Sequence, residues 1–174
     1  MIMKPLYIAL VAATLTAAGG CRWRGGESAE AADSSMAVLA TASDIERAII
    51  TGDKELVLLH VWATWCAPCV KEFPHLVALK DFPPSANLDF IFVSADAGED
   101  IEAVEDFVVS QGSPWKTYVV DNFNEEVMSV ISSEWSGAIP ATFFYDANGE
   151  ILEWSEGMKT TDWFEEAITN LLDR

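Results

Sequence analysis

Apolar residues fall along this chain in two arrangements: short runs that are nearly unbroken, and longer stretches that repeat every three or four positions. LVLLHVW, Leu56 to Trp62, and LDFIFV, Leu88 to Val93, are of the first kind, as expected of strands covered on both faces. Between Glu99 and Gln111 the residues Ile101, Val104 and Val108 recur at helical spacing. Phe123, Val127, Val130 and Ile131 repeat that pattern after a strand-like KTYVV, Lys116 to Val120. In SDIERAI, Ser43 to Ile49, the pair Ser43 and Glu46 forms a capping-box pattern that predicts a short helix. Ala141 to Trp154 predicts two strands around Asn148-Gly149, and Asp162 to Leu172 predicts a last helix with Phe164, Ile168 and Leu171 on one face. Strands alternating with helices, without an internal repeat, predict an α/β sheet.

From Met36 to Arg174 the chain fits one domain of ordinary size, able to bury a core without structural disulfides. The segment before it has another character. Residues 1–20 carry one cation, Lys4, then an apolar run from Leu6 to about Ala18 and small residues up to Cys21, the order of an export signal. The run is short for a bilayer span, which needs about twenty residues. The small residues before the cysteine resemble the lipobox of bacterial lipoproteins, with Ala18 where leucine is typical. That resemblance implies cleavage before Cys21, a lipid on Cys21, and anchoring to the outer side of a bacterial membrane, the periplasmic side in a Gram-negative cell. The other reading, an ordinary secretory signal, leaves Cys21 an odd free thiol in an oxidising space. Residues 21–35, with little apolar content and no periodicity, read as a flexible tether. The net charge of −18 argues against nucleic acid as a partner and favours basic clients over acidic ones.

The candidate chemistry lies in HVWATWCAPCVKEFP, His60 to Pro74, where two cysteines follow an apolar strand. Outside the cytoplasm such a pair reads as redox chemistry. Disulfide exchange requires an accessible, partly ionised thiol. Cys66 sits at a predicted helix N-terminus, where backbone N–H groups and the helix dipole favour a thiolate. Cys69 lies one turn along and suits attack on a mixed disulfide. Pro68 stiffens the loop between them, and Trp65 offers a lid against which a client chain packs. Glu72, three residues after Cys69, falls one turn deeper on the same side, where it either handles the Cys69 proton or is a solvated helix glutamate. His60, on the strand, is either a base for Cys69 or a neutral core histidine bonded to backbone. His75 shares a helix face with Lys71 and is expected in solvent. Trp62, Trp115, Trp135, Trp154 and Trp163 are expected in the core or at its rim.

WCAPC, Trp65 to Cys69, resembles the thioredoxin-type active site. The longer WATWCAPCVKEFP, in an exported chain, resembles the TlpA/ResA-type thiol-disulfide oxidoreductases over most of Met36 to Arg174. That resemblance implies a thioredoxin-like fold, a central mixed sheet flanked by helices, with an extra αβ unit around Glu99 to Val120. It implies no cofactor. Ile139 and Pro140, in Gly-Ala-Ile-Pro before the last hairpin, match the place where a cis proline lies against the cysteine pair and the preceding backbone pairs with a client strand. With Trp65, Ala67 and Pro68 they are the implied client-binding residues. Glu72 matches the functional glutamate of a CxxCxxE pattern. His60 departs from the family, where thioredoxins carry Asp and TlpA-like proteins commonly Asn. Proteins of this type mostly reduce disulfides of particular client proteins, draw electrons from a membrane donor, and often serve cytochrome c maturation.

Other readings fit the residues less well. A peroxiredoxin needs a threonine three residues before its reactive cysteine, where this chain has Ala63. A Sco-type copper module pairs CxxxC with a distant histidine, whereas here the spacing is CxxC and the only histidines are His60 and His75. A structural zinc site lacks its four ligands. A DsbA-like oxidant commonly has a histidine between the cysteines, and Ala67-Pro68 has none. The expected direction is therefore reduction of clients.

Overall fold

The computed structural model describes residues 34–50 and 54–174, so the expected signal, Cys21 and nearly all of the tether lie outside them. Six strands, β1 (Ala37–Ala40), β2 (Leu56–Trp62), β3 (Leu88–Ser94), β4 (Thr117–Val120), β5 (Ala141–Asp146) and β6 (Ile151–Glu156), form one sheet in the order β1-β4-β3-β2-β5-β6. β1 to β4 run parallel, while β5 is antiparallel to β2 and β6 to β5. The helices are α1 (Ala42–Ile50), α2 (Ala67–Ala78), α3 (Ile101–Ser110), α4 (Glu125–Ile131) and α5 (Thr161–Leu172).

All seven residues of β2 are buried, which is why its sequence reads as an unbroken apolar run. Successive side chains still go to opposite faces. Val57, Leu59 and Val61 pack with Ile45 and Ile49 of α1 and Val127 and Ile131 of α4. Leu56, Leu58 and Trp62 pack with Phe73 of α2, Val104 and Val108 of α3, and Phe164 and Ile168 of α5. His60 belongs by this alternation to the α2 face. It stands opposite Phe92 of β3 and Thr142 of β5.

Several local expectations change. The capping box of α1 lies two residues earlier, at Thr41 and Asp44. Thr41 Oγ1 accepts the Asp44 N–H at 3.3 Å, and Asp44 Oδ2 accepts the Thr41 N–H at 2.9 Å. The AVLA stretch of β1, too short to announce itself by periodicity, pairs with β4 at the sheet edge. Ser35, placed by sequence at the end of the tether, donates to Ala37 O and to Glu105 of α3. The hairpin at Asn148-Gly149 forms, but its connection spans residues 147–150. Asp146 Oδ1 accepts from the Asn148 and Glu150 N–H groups, and Gly149 takes φ 81°.

Candidate active site

The strand β2 ends at Trp62, and a short loop carries the chain into α2. Cys66 is the N-cap residue of that helix. Its extended backbone leaves the first-turn N–H groups facing the sulfur, and the Cys69 N–H lies 3.3 Å from Cys66 Sγ. Pro68 sits in the first turn, where no N–H is needed. Cys66 and Cys69 are joined in a disulfide. Cys66 is 6% exposed and Cys69 is fully buried, so an attacking sulfur in solvent meets Cys66 first. Trp65 is 67% exposed, and Ala67 and Pro68 are exposed beside it.

The Ile139-Pro140 bond is cis, and the Ile139 carbonyl oxygen lies 3.8 Å from Cys66 Sγ. With Cys66 in a disulfide this is a packing contact, since the sulfur has no proton to donate. Ile139 is half-buried and Pro140 buried. The fold thus sets the Ile139-Pro140 backbone beside the cysteine pair, with Trp65, Ala67 and Pro68 exposed on the same loop and first helical turn.

Behind the disulfide lies a buried polar cluster. Glu72, on α2, is fully buried, which removes the solvated-glutamate alternative. Its Oε1 accepts the Lys159 N–H at 2.7 Å, from the segment between β6 and α5. Its Oε2 faces His60 Nε2 at 3.6 Å. Among the described residues neither of those two atoms has a hydrogen-bond partner. His60, also fully buried, has its Nδ1 3.0 Å from Thr142 Oγ1. Its partner is thus a side chain of the neighbouring strand, where the sequence suggested backbone. Burial drives the Glu72 pKa up to about 7 against the opposing pull of the Lys159 N–H and charge, and burial pushes His60 down to about 3. At neutral pH the histidine is uncharged and the glutamate is poised between its two states.

Two further contacts escaped the sequence. Asp96, just after β3 and 1% exposed, accepts the Thr64 N–H at 2.9 Å, the Thr64 hydroxyl at 2.5 Å and the Ser94 hydroxyl at 2.5 Å. It ties down the loop that presents Trp65 and Cys66. His75, expected in solvent, is half-buried, with its Nδ1 3.0 Å from Thr161 Oγ1 at the start of α5. Helical spacing alone places His75 on the Lys71 face; only the docking of α5 covers it. Of the tryptophans, Trp62 and Trp135 are core residues, and Trp115, Trp154 and Trp163 are half-buried at the rim. Among the described residues no group of three or more His, Cys, Asp or Glu side chains is placed to hold a metal ion, and no helix is long and apolar enough to cross a membrane.

Residues 33–171 match the Redoxin family. Among curated proteins, the thiol-disulfide oxidoreductase ResA of Bacillus anthracis is 28% identical over 109 residues, which span 63% of this chain and 59% of that one. The thiol:disulfide interchange protein HelX of Rhodobacter capsulatus is 31% identical over 122 residues, 69% of this chain and 62% of that one. The chain therefore spans about six-tenths of the length of these relatives. Of solved structures, StoA from Bacillus subtilis superposes with a TM-score of 0.54 at 26% identity, covering 67% of this chain and 84% of StoA. A thioredoxin-family thiol:disulfide interchange protein from Chlorobium tepidum gives 0.58 at 20% identity over 75% of this chain and 84% of that one. The mixed sheet with helices on both faces is the thioredoxin-like fold.

Proposed function

The chain belongs to the Redoxin family, and from that premise we propose that it is an extracytoplasmic thiol-disulfide oxidoreductase, anchored through Cys21, that reduces disulfides of particular client proteins. The observation that carries this reading is the Cys66–Cys69 disulfide at the N-terminus of α2, beside the backbone of the cis Ile139-Pro140 bond. In the reduced form the Cys66 thiolate, favoured by the helix terminus and the Cys69 N–H, attacks one sulfur of a client disulfide and expels the other as a thiolate. The client strand lies along Ile139, with Trp65, Ala67 and Pro68 as the surrounding surface. Cys69 then attacks Cys66 Sγ, the mixed disulfide breaks, and the client leaves as a dithiol while Cys66 and Cys69 become a disulfide. Cys69 gives up its proton to Glu72 on the way, directly or through a water. A membrane-bound thiol donor returns the two electrons.

The names of the curated relatives, oxidoreductase and interchange protein, support the exchange chemistry. Cytochrome c maturation is the client pathway we infer, from the resemblance to TlpA/ResA-type proteins. The absence of a histidine between Cys66 and Cys69 favours reduction over oxidation. Equilibration of the full chain with a glutathione redox buffer tests the direction. A midpoint near the thioredoxin value of about −270 mV is expected, and one near the DsbA value of about −120 mV overturns it.

A further inference from the structure

His60 closes the inner side of the Glu72 carboxyl group. Oε1 is occupied by the Lys159 N–H, whereas Oε2 meets only His60 Nε2, at 3.6 Å, with both side chains fully buried. That distance is too long for a hydrogen bond and too short to seat a water between the two atoms. Both atoms otherwise lack partners among the described residues. Two buried polar atoms left facing each other are costly unless one carries a proton toward the other.

We propose that His60 is a positioning residue that pairs with Glu72 Oε2 through Nε2, so that the carboxyl group and the imidazole titrate together, with Thr142 fixing the ring at Nδ1. A protonated Glu72 donates to Nε2. An ionised Glu72 accepts from an Nε2–H, with the Thr142 hydroxyl turned to donate to Nδ1. The groups that face the pair are the Phe92 ring from β3, the Thr142 hydroxyl from β5 and Lys159 from the segment before α5, with Cys69 three residues before Glu72 on α2. The Lys159 ammonium is held 2.7 Å from Glu156 O and over the Trp163 ring. The consequence for exchange rests on the reading of Glu72 given above. When Cys69 attacks the mixed disulfide, its proton goes to Glu72, and the pair passes from one proton, the Nε2–H facing the carboxylate, to two, the carboxyl proton donated to Nε2 and the ring proton on Nδ1 donated to Thr142 Oγ1. When the Cys66–Cys69 disulfide is opened by a donor thiolate attacking Cys66, the Cys69 thiolate takes that proton back.

The test follows the carboxylic acid C=O band of Glu72 in the full-length oxidised protein by infrared spectroscopy from pH 5 to 9, the band being assigned by its loss in Glu72→Gln. A hydrogen bond to a charged group is strong enough that His60→Leu should lower the ionised fraction of Glu72 at neutral pH about tenfold. His60→Gln, whose amide can donate to Oε2, should restore at least half of the shift. A midpoint in His60→Leu equal to that of the wild type overturns the proposal. Should His60→Leu fail to fold, ¹⁵N spectra of the wild-type ring decide. The Nε2 resonance should move with the Glu72 midpoint, and a flat response across it overturns the pairing. A shared midpoint together with resolution rates indifferent to Glu72→Gln refutes the relay while upholding the pair.

Discussion

Glu72→Gln should make the oxidised fold more stable in alkali and nearly unchanged in acid. The unfolded chain titrates Glu72 near 4.5, and burial in the fold holds the same group at about 7. Below pH 4.5 the group is protonated in both states and contributes no pH dependence. Between 4.5 and 7 the unfolded chain releases a proton that the folded chain keeps, so stability falls as pH rises, and above about 7 the cost is constant. At about 1.36 kcal/mol per pH unit the full penalty is about 3 kcal/mol, of which about 2–3 kcal/mol develops between pH 5 and 8.5. Glutamine keeps an oxygen for the Lys159 N–H and offers an amide hydrogen to His60 Nε2, without the charge. His60, lowered from 6.5 to about 3, costs stability as pH falls through that range, and it does so in both proteins. Urea unfolding of both at pH 5 and 8.5, with the disulfide closed, reads the difference. At the usual slope of about 1–3 kcal/mol per molar urea, the variant's midpoint should exceed the wild type's by about 1 M or more at pH 8.5. A stability difference that is the same at both pH values would refute the account of Glu72 as a buried carboxyl titrating near neutrality.

Glu72→Gln should also slow resolution of a mixed disulfide chiefly near neutral pH while leaving alkylation of Cys66 nearly intact, as rapid-quench kinetics can show; general acid-base help is commonly worth about 10²- to 10⁴-fold, with a thiol at or below the lower end. Asp96→Ala removes the acceptor of three hydrogen bonds, so thermal unfolding should show a loss of about 2–4 kcal/mol, whereas Thr64→Ser, which keeps the hydroxyl and N–H, should match the wild type. Cys21→Ser should release the protein from membranes or leave its signal uncleaved, judged by fractionation and intact mass, and exchange by the released protein should be unchanged.

Apolar runs placed β2, β3 and β4 and helical repeats placed α3, α4 and α5, because each turns an apolar face to the core; the Asn-Gly turn marked the β5–β6 hairpin, a capping pattern α1 and the cysteine motif the start of α2. β1 escaped, since four residues at an edge leave no period to read. The cysteine pair, Trp65 and Pro68 were legible because the chemistry of the site is local, packed into a few consecutive residues. What was not legible is what the fold brings from afar. Thr142 meets His60, and Lys159 meets Glu72, across 82 and 87 residues. Glu72 and His60, rival candidates for one role in the sequence, lie 3.6 Å apart because α2 packs on the face of β2 that carries His60. Asp96 carries no local signal in the sequence, and only the end of β3 brings it to Thr64.

The central claim is that Cys66 attacks and Cys69 resolves, and trapping tests it most directly. Full-length Cys69→Ser and Cys66→Ser proteins, reduced and exposed to a disulfide-bonded peptide at neutral pH, are quenched with acid and the adducts mapped by mass spectrometry. The account predicts a stable mixed disulfide on Cys66 in the first protein and little adduct in the second, where the remaining thiol at position 69 is fully buried. Rapid adduct formation on Cys69 with Cys66 absent, or none on Cys66 with Cys69 absent, would contradict it.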